Sequence, residues 1–162
     1  MVFWDTSALV KAYALEPGTP TVQAALRSAP VRAASSISDV VALEMLSVIA
    51  KKMRAGTFSP ADYIRARTEF YGDYPQSFVS IPLRRQIRRH ALALAETHRT
   101  AGVGALDILH LACPLHVRSA VHPRPAVLAV VDGPLRRVAT SEGLRTFNPE
   151  TQSVTDLLTA LR

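Results

Sequence analysis

The stretch Val2-Phe3-Trp4-Asp5-Thr6-Ser7-Ala8-Leu9-Val10 decides how the rest of the chain is read. Val2, Phe3 and Trp4 form a short β-prone apolar run that stops at Asp5, and Thr6 and Ser7 supply hydroxyls suited to cap a helix starting near Ala8. A carboxylate therefore stands at the carboxyl end of a strand, just ahead of a helix. In an open parallel sheet, that is the edge where ligands bind. Taken alone, Asp5 is explained equally well as part of the helix cap, so the later residues have to discriminate.

Working outward, the 162 residues suffice for one domain, 1–162, and with 48% of them apolar the core needs no covalent staples. The single cysteine, Cys113, cannot form an internal disulfide and reads as a small buried apolar residue. No apolar run is long enough to cross a bilayer, and Asp5 stands where a signal peptide would carry basic and then apolar residues. The expectation is a cytoplasmic protein with no membrane partner. A formal net charge of +6, carried mostly by arginine, makes polyanions candidate partners.

The chain alternates strand and helix signals. The first helix runs through Leu9, Val10 and Tyr13 until Glu16-Pro17-Gly18 breaks it, and Thr19-Pro20 reads as an N-cap with proline at the first helical position. Pro30 is expected to end that second helix, residues 31–35 to form a weak strand, and Ser38 to cap a helix reaching Gly56. Ser59-Pro60-Ala61-Asp62 opens a helix expected to end near residues 71–72, before a strand over 78–81. Pro82 leads into a helix with apolar positions Ile87, Ala91, Leu94 and Ala95, closing near Gly102. A helix through residues 104–112 should be interrupted by Pro114, leaving 116–125 as a loop whose His116 and His122 lack zinc-ligand companions. Residues 126–131 are the clearest buried strand; it ends at Asp132, and Gly133-Pro134 starts another helix, so the strand, acid, helix pattern of Asp5 recurs. A strand over 144–147 and a helix opened by Ser153 and Asp156 complete the chain. Alternating strands and helices argue for an α/β sandwich with a mainly parallel sheet, because parallel strands need crossovers.

Two further acids stand out. Glu44 shares a helical face with Val41, Met45, Val48 and Ile49, where a carboxylate is costly unless it is paired, protonated or bound to a cation; otherwise it lies at the wet edge of an offset stripe. Asp107 stands in a first helical turn, where the dipole alone would favour it, and His110 beyond it reads as a hydrogen-bonded core histidine. In an α/β fold Asp5, Glu44, Asp107 and Asp132 can face one crevice, and the natural compensation for four gathered carboxylates is Mg²⁺ or Mn²⁺, which prefer oxygen ligands. Such ions activate water and steady charge on an in-line phosphoryl displacement. Setting the four acids aside leaves the rest of the chain still more positive, as a nuclease requires. Arg84, Arg85, Arg88 and Arg89 form a concentrated positive patch, read either as a solvated face or as RNA-phosphate contacts, with no interleaved aromatics for base stacking.

Residues 2–11 (VFWDTSALVK), the helix 38–56 with its central Glu44, residues 104–112 (GALDILHLA) and residues 130–149 (VVDGPLRRVATSEGLRTFNP) together resemble the PIN-domain ribonucleases, especially VapC-type toxins. The resemblance implies a PIN-like three-layer sandwich with β1 central and with Asp5, Glu44, Asp107 and Asp132 as catalytic metal ligands. It also implies Mg²⁺ or Mn²⁺ dependence, endonucleolytic cleavage of RNA, and inhibition by a cognate antitoxin within a homodimer or antitoxin hetero-oligomer. Thr6 and Ser7 cap the helix, with a hydroxyl that can face the site. Two departures stand out: Val131 precedes the last acid where the family often has threonine, and the 116–125 segment looks longer than usual. The competing readings are a PIN-like module that binds RNA or protein without cutting, and a phosphatase using Asp5 as nucleophile. The latter is weakened because Ser7 occupies the position of the second acid such enzymes want.

Overall fold

The computed structural model describes residues 1–120 and 125–162; residues 121–124, with His122, lie outside the described residues. In chain order the elements are β1 (Val2–Trp4), α1 (Thr6–Leu9) with a 3-10 turn (Val10–Ala12), α2 (Thr19–Arg27), α3 (Ala29–Ala34), β2 (Ser35–Ser38), α4 (Asp39–Arg54) and α5 (Pro60–Ser77). There follow β3 (Val79–Ile81), α6 (Arg85–Thr97), α7 (Ala105–Ala120), β4 (Val127–Ala129), α8 (Gly133–Ser141), β5 (Arg145–Phe147) and α9 (Val154–Ala160).

The five strands make one parallel sheet in the order β3-β2-β1-β4-β5, with Phe3 of β1 in register with Ser36 on one side and Leu128 on the other. Alternation along β1 sends Val2 and Trp4 to one face and Phe3 to the other. On the first face Val2 and Trp4 join Val22, Val31, Met45, Ile49, Phe70 and Leu157; on the second, Phe3 joins Ile87, Leu94, Leu111, Leu128 and Leu135. Helices α1 to α5 and α9 therefore cover one side and α6 to α8 the other. This is the three-layer α/β sandwich with β1 central. Because the chain visits β2 and β3 on one side of β1 and β4 and β5 on the other, the switch point falls beside β1, at its carboxyl end.

Several local expectations are corrected, mostly at prolines. Residues 31–34 are helical, since Pro30 opens α3 in its first turn, where a missing N–H costs nothing, and the strand begins only at Ser35. The N-cap of α2 is Gly18 at φ 87°, not Thr19; a Cβ there would lie 3.0 Å from the Pro149 carbonyl, and the Thr19 hydroxyl instead donates to the Ala14 carbonyl at 2.8 Å. Helix α5 continues past Gly72 to Ser77 with Pro75 inside it, held by Phe70 against Tyr74 and by the Tyr13 hydroxyl donating to Asp73 at 3.0 Å. Helix α7 likewise runs through Pro114, so residues 116–120 are helical and not loop. Leu111, Ala112, Cys113 and Leu115 around it are buried, and that packing outweighs a proline penalty of about 3 kcal/mol. Helix α6 stops at Thr97, short of Gly102, and leaves Ala95 exposed.

Candidate active site

Asp5, Thr6, Ser7, Glu44, Asp107 and Asp132 line a single cleft of about 460 Å³ at the carboxyl edge of the sheet. Its walls are apolar, from Val10, Val40, Leu43, Val48 and Leu106, and Leu43 and Leu106 are 68% and 46% exposed at its lips.

Each acid is placed by a local rule. Asp5 continues the β1 ladder, its N–H donating to the Ala129 carbonyl at 3.0 Å, and it is itself the N-cap of α1, a role the sequence had assigned to Thr6 and Ser7. Its Oδ2 accepts the Ser7 amide at 2.8 Å and the Ser7 hydroxyl; the Ser7 oxygen in turn accepts the Val131 amide at 3.1 Å. The hydroxyl near the last acid thus comes from Ser7, and Val131 contributes its backbone. Asp132 repeats the arrangement after β4: it caps α8, with Oδ1 accepting the Leu135 amide at 2.7 Å. Asp107, in the first turn of α7, accepts the Gly104 amide on Oδ2 at 3.1 Å, and a Cβ on residue 104 would lie 3.0 Å from that oxygen.

Glu44 lies at the edge of the α4 stripe, half-buried beside fully buried Val41, Met45 and Ile49. Its Oε2 accepts the Thr6 hydroxyl at 2.6 Å and is bonded by His110 Nε2. His110 is buried, and its Nδ1 pairs with the Ser38 hydroxyl at 2.8 Å. Ser38 stands at the N-cap of α4 as expected, yet it makes no side-chain cap bond because its hydroxyl is engaged by the imidazole. The partner of Glu44 comes from α7. The signal was present in two separate readings, an awkward carboxylate and a core histidine in want of a hydrogen bond.

The electrostatics follow from this placement. Burial raises the Asp5 carboxyl above its ordinary range against the opposing pull of His110 and Ser7. Asp107 is raised by burial and by the charges of Asp5 and Asp132, with the Gly104 amide opposing. Glu44 goes the other way: burial pushes it up, but the His110 bond and charge with the Thr6 hydroxyl together hold it below. For His110 burial opposes the charged form, while Glu44, Asp5 and Asp107 outweigh it and raise the imidazole above its usual value. Arg84, Arg85, Arg88 and Arg89 do not line the cleft; they are exposed at the start of α6, and Arg88 is tied to the Leu83 carbonyl at 3.1 Å.

Among the described residues, no three His, Cys, Asp or Glu side chains converge closely enough to hold an ion as they stand. The donor set nevertheless fits a hard divalent cation. All four candidates offer oxygen, and the hydrogen bonds that each carboxylate accepts fall on one of its two oxygens, leaving the other uncommitted.

The chain is thus an α/β protein with an acid-lined cleft at the switch point of a parallel sheet. The chain belongs to the PIN-domain family, whose model matches residues 2–122 and so includes Asp5, Glu44 and Asp107, while Asp132 lies beyond the matched span. Among solved structures, the crystal structure of FitAcB from Neisseria gonorrhoeae is similar over 94% of this chain and 100% of that chain, with a TM-score of 0.65 at 16% identity. That likeness establishes the shared fold. No curated protein matches the sequence at a significant level.

Proposed function

We propose that this chain, acting as one domain over residues 1–162, is an Mg²⁺- or Mn²⁺-dependent endoribonuclease of VapC toxin type. The observation that supports this most directly is the lining of one cleft by Asp5, Glu44, Asp107 and Asp132 in a PIN-family chain, and PIN domains are generally nucleases. In this reading Asp5 and Asp107 are the principal metal ligands, and Glu44 and Asp132 complete the set. Bound there, the cation supplies an activated water and stabilises charge on the phosphodiester oxygens. The chain's own part is positional. Ser7 fixes one oxygen of Asp5, Thr6 and His110 fix Glu44, the Gly104 amide fixes Asp107, and Leu43, Val40 and Leu106 narrow the space open to water around the reacting group.

Cytoplasmic location, control by a cognate antitoxin, and assembly as a homodimer or with that antitoxin belong to the same reading. No helix among the described residues is long and apolar enough to cross a membrane. The deciding experiment incubates highly purified protein with RNA. Cleavage should require Mn²⁺ or Mg²⁺, stop with chelator, and vanish in Asp107→Asn with the fold retained. The second reading is a PIN module that binds RNA or protein without cutting. Absence of cleavage by wild-type protein at saturating Mn²⁺ would select that alternative.

A further inference from the structure

Along α8 from Asp132, against the edge strand β5, lies a second concavity of about 380 Å³, lined by Arg136, Arg137, Thr140, Thr146 and Gln152. None of these residues carries a carboxylate, and each carries a hydrogen-bond donor. The Thr140 hydroxyl is spent on the Arg136 carbonyl at 2.9 Å. The Gln152 side-chain oxygen accepts the Asn148 amide at 2.7 Å, which turns its amino group into the free end. The donors left to the concavity are thus two guanidinium groups, an amide and the Thr146 hydroxyl.

Some arginines are engaged, Arg65 with Asp62 and Glu69, Arg118 with the Glu142 and Gly143 carbonyls and Arg145 with the Ala160 carbonyl. Others, Arg84, Arg85 and Arg89 among them, make no ion pair or hydrogen bond with the described residues but line neither this hollow nor the acidic cleft. Among the described residues, the side chains of Arg136 and Arg137 have neither an ion pair nor a hydrogen bond. Two like charges sharing one hollow repel unless an anion joins them. The hollow is also tied to the acidic cleft. Arg136 is one helical turn from Asp132, about 6 Å along the axis. Arg137 folds back so that its Nη1 would be 3.5 Å from a Cβ on Gly133, next to Asp132.

We propose that this concavity is a phosphate seat for the RNA strand cut at the acidic cleft, holding backbone phosphodiester a few nucleotides from the scissile bond. The proposal rests on the nuclease reading above. It differs from the sequence expectation, which placed phosphate contacts on Arg84, Arg85, Arg88 and Arg89; those side chains line neither this hollow nor the acidic cleft.

The test measures binding of a fluorescein-labelled oligoribonucleotide by anisotropy in chelator, so that no cleavage intervenes. In R136Q/R137Q, affinity should fall about tenfold, and the slope of log affinity against log salt should shrink by about 1.4, two single-strand phosphate contacts' worth. R136K/R137K, which keeps the charges, should retain most of the slope. Hydrolysis of bis(p-nitrophenyl) phosphate with Mn²⁺ is too short a substrate to reach the seat and should stay at the wild-type rate. Unchanged affinity and slope in R136Q/R137Q would overturn the seat, as would an equal loss from R84Q/R85Q/R88Q/R89Q. Wild-type protein that binds RNA through the two arginines but cuts nothing would remove the nuclease reading and leave the seat in place.

Discussion

The two ends of the acidic cleft are built from the same parts and behave differently. Asp5 and Asp132 each follow a buried strand, each cap the following helix, and each accept a backbone amide on one oxygen. Asp5 is only 3% exposed, because it follows the last residue of β1 directly and Ser7, Glu44 and His110 surround it, whereas Asp132 stands three residues beyond the end of β4 and is exposed. A strand, acid, helix pattern thus sets where a carboxylate stands and how it caps. It does not set how deeply the carboxylate is buried; its distance from the strand end and the side chains that other elements bring against it do that.

The contrast is broken most strongly by Asp5→Asn. If the chain is the metal-dependent ribonuclease proposed above, this substitution should lower RNA cleavage by about a thousandfold, the ~4 kcal/mol of transition-state charge stabilisation that a bound metal supplies. The same substitution should raise the melting temperature of the metal-free protein. Burial raises the Asp5 carboxyl, so the anion destabilises the folded state, and each kcal/mol relieved is worth about 2–4 °C. A calorimetric scan showing lower stability would refute the account of the buried end.

His110→Ala comes next. It orphans the Ser38 hydroxyl and leaves Glu44 with Thr6 alone, at a cost of about 3 kcal/mol and a fall in melting temperature on the order of 10 °C. Restoration by Glu44→Gln in the same chain would identify the lost pairing as the cause.

A smaller effect should separate the ends by pH. His110 is raised, so the stability it confers is complete below its ordinary 6.5 and is lost as pH rises through the higher folded value. Asp5 and Asp107 are also raised, so their destabilisation is present at neutral pH and relieved as pH falls through their folded values. Glu44 is lowered; its contribution is present above its ordinary 4.5 and disappears as pH falls through the folded value below that. The metal-free protein should therefore melt at a lower temperature as pH rises from 6.5 through the raised folded value of His110, and His110→Ala should flatten that fall. The smallest change belongs to the open end: Asp132→Ala should cost about 1 kcal/mol as a lost cap, and Asp132→Asn close to nothing, read by urea unfolding.

What the sequence made legible was whatever depends on near neighbours. The apolar runs ending in Asp5 and Asp132, the capping boxes at Ser59 and Ser153, and the placement of Glu44 on its helix face are all written within a few residues. The misreadings came where distant packing overrules a local signal. Pro30, Gly72 and Pro114 each read as a stop, but Pro30 sits harmlessly in a first turn and the other two lie inside helices held by their neighbours. The brace on Glu44 joins α4 to α7, and no local pattern could have paired them.

The position of β1 also orders events while the chain is being made. Its pairing with β2 uses segments close in sequence, whereas its pairing with β4 waits for Val127, Leu128 and Ala129. A chain still emerging from the ribosome can therefore dock Asp5 near Glu44 long before Asp132 exists, and Asp5 keeps one flank open to water until β4 arrives. Translation itself delays assembly of the four acids until β4 and the residues that follow it have been synthesised.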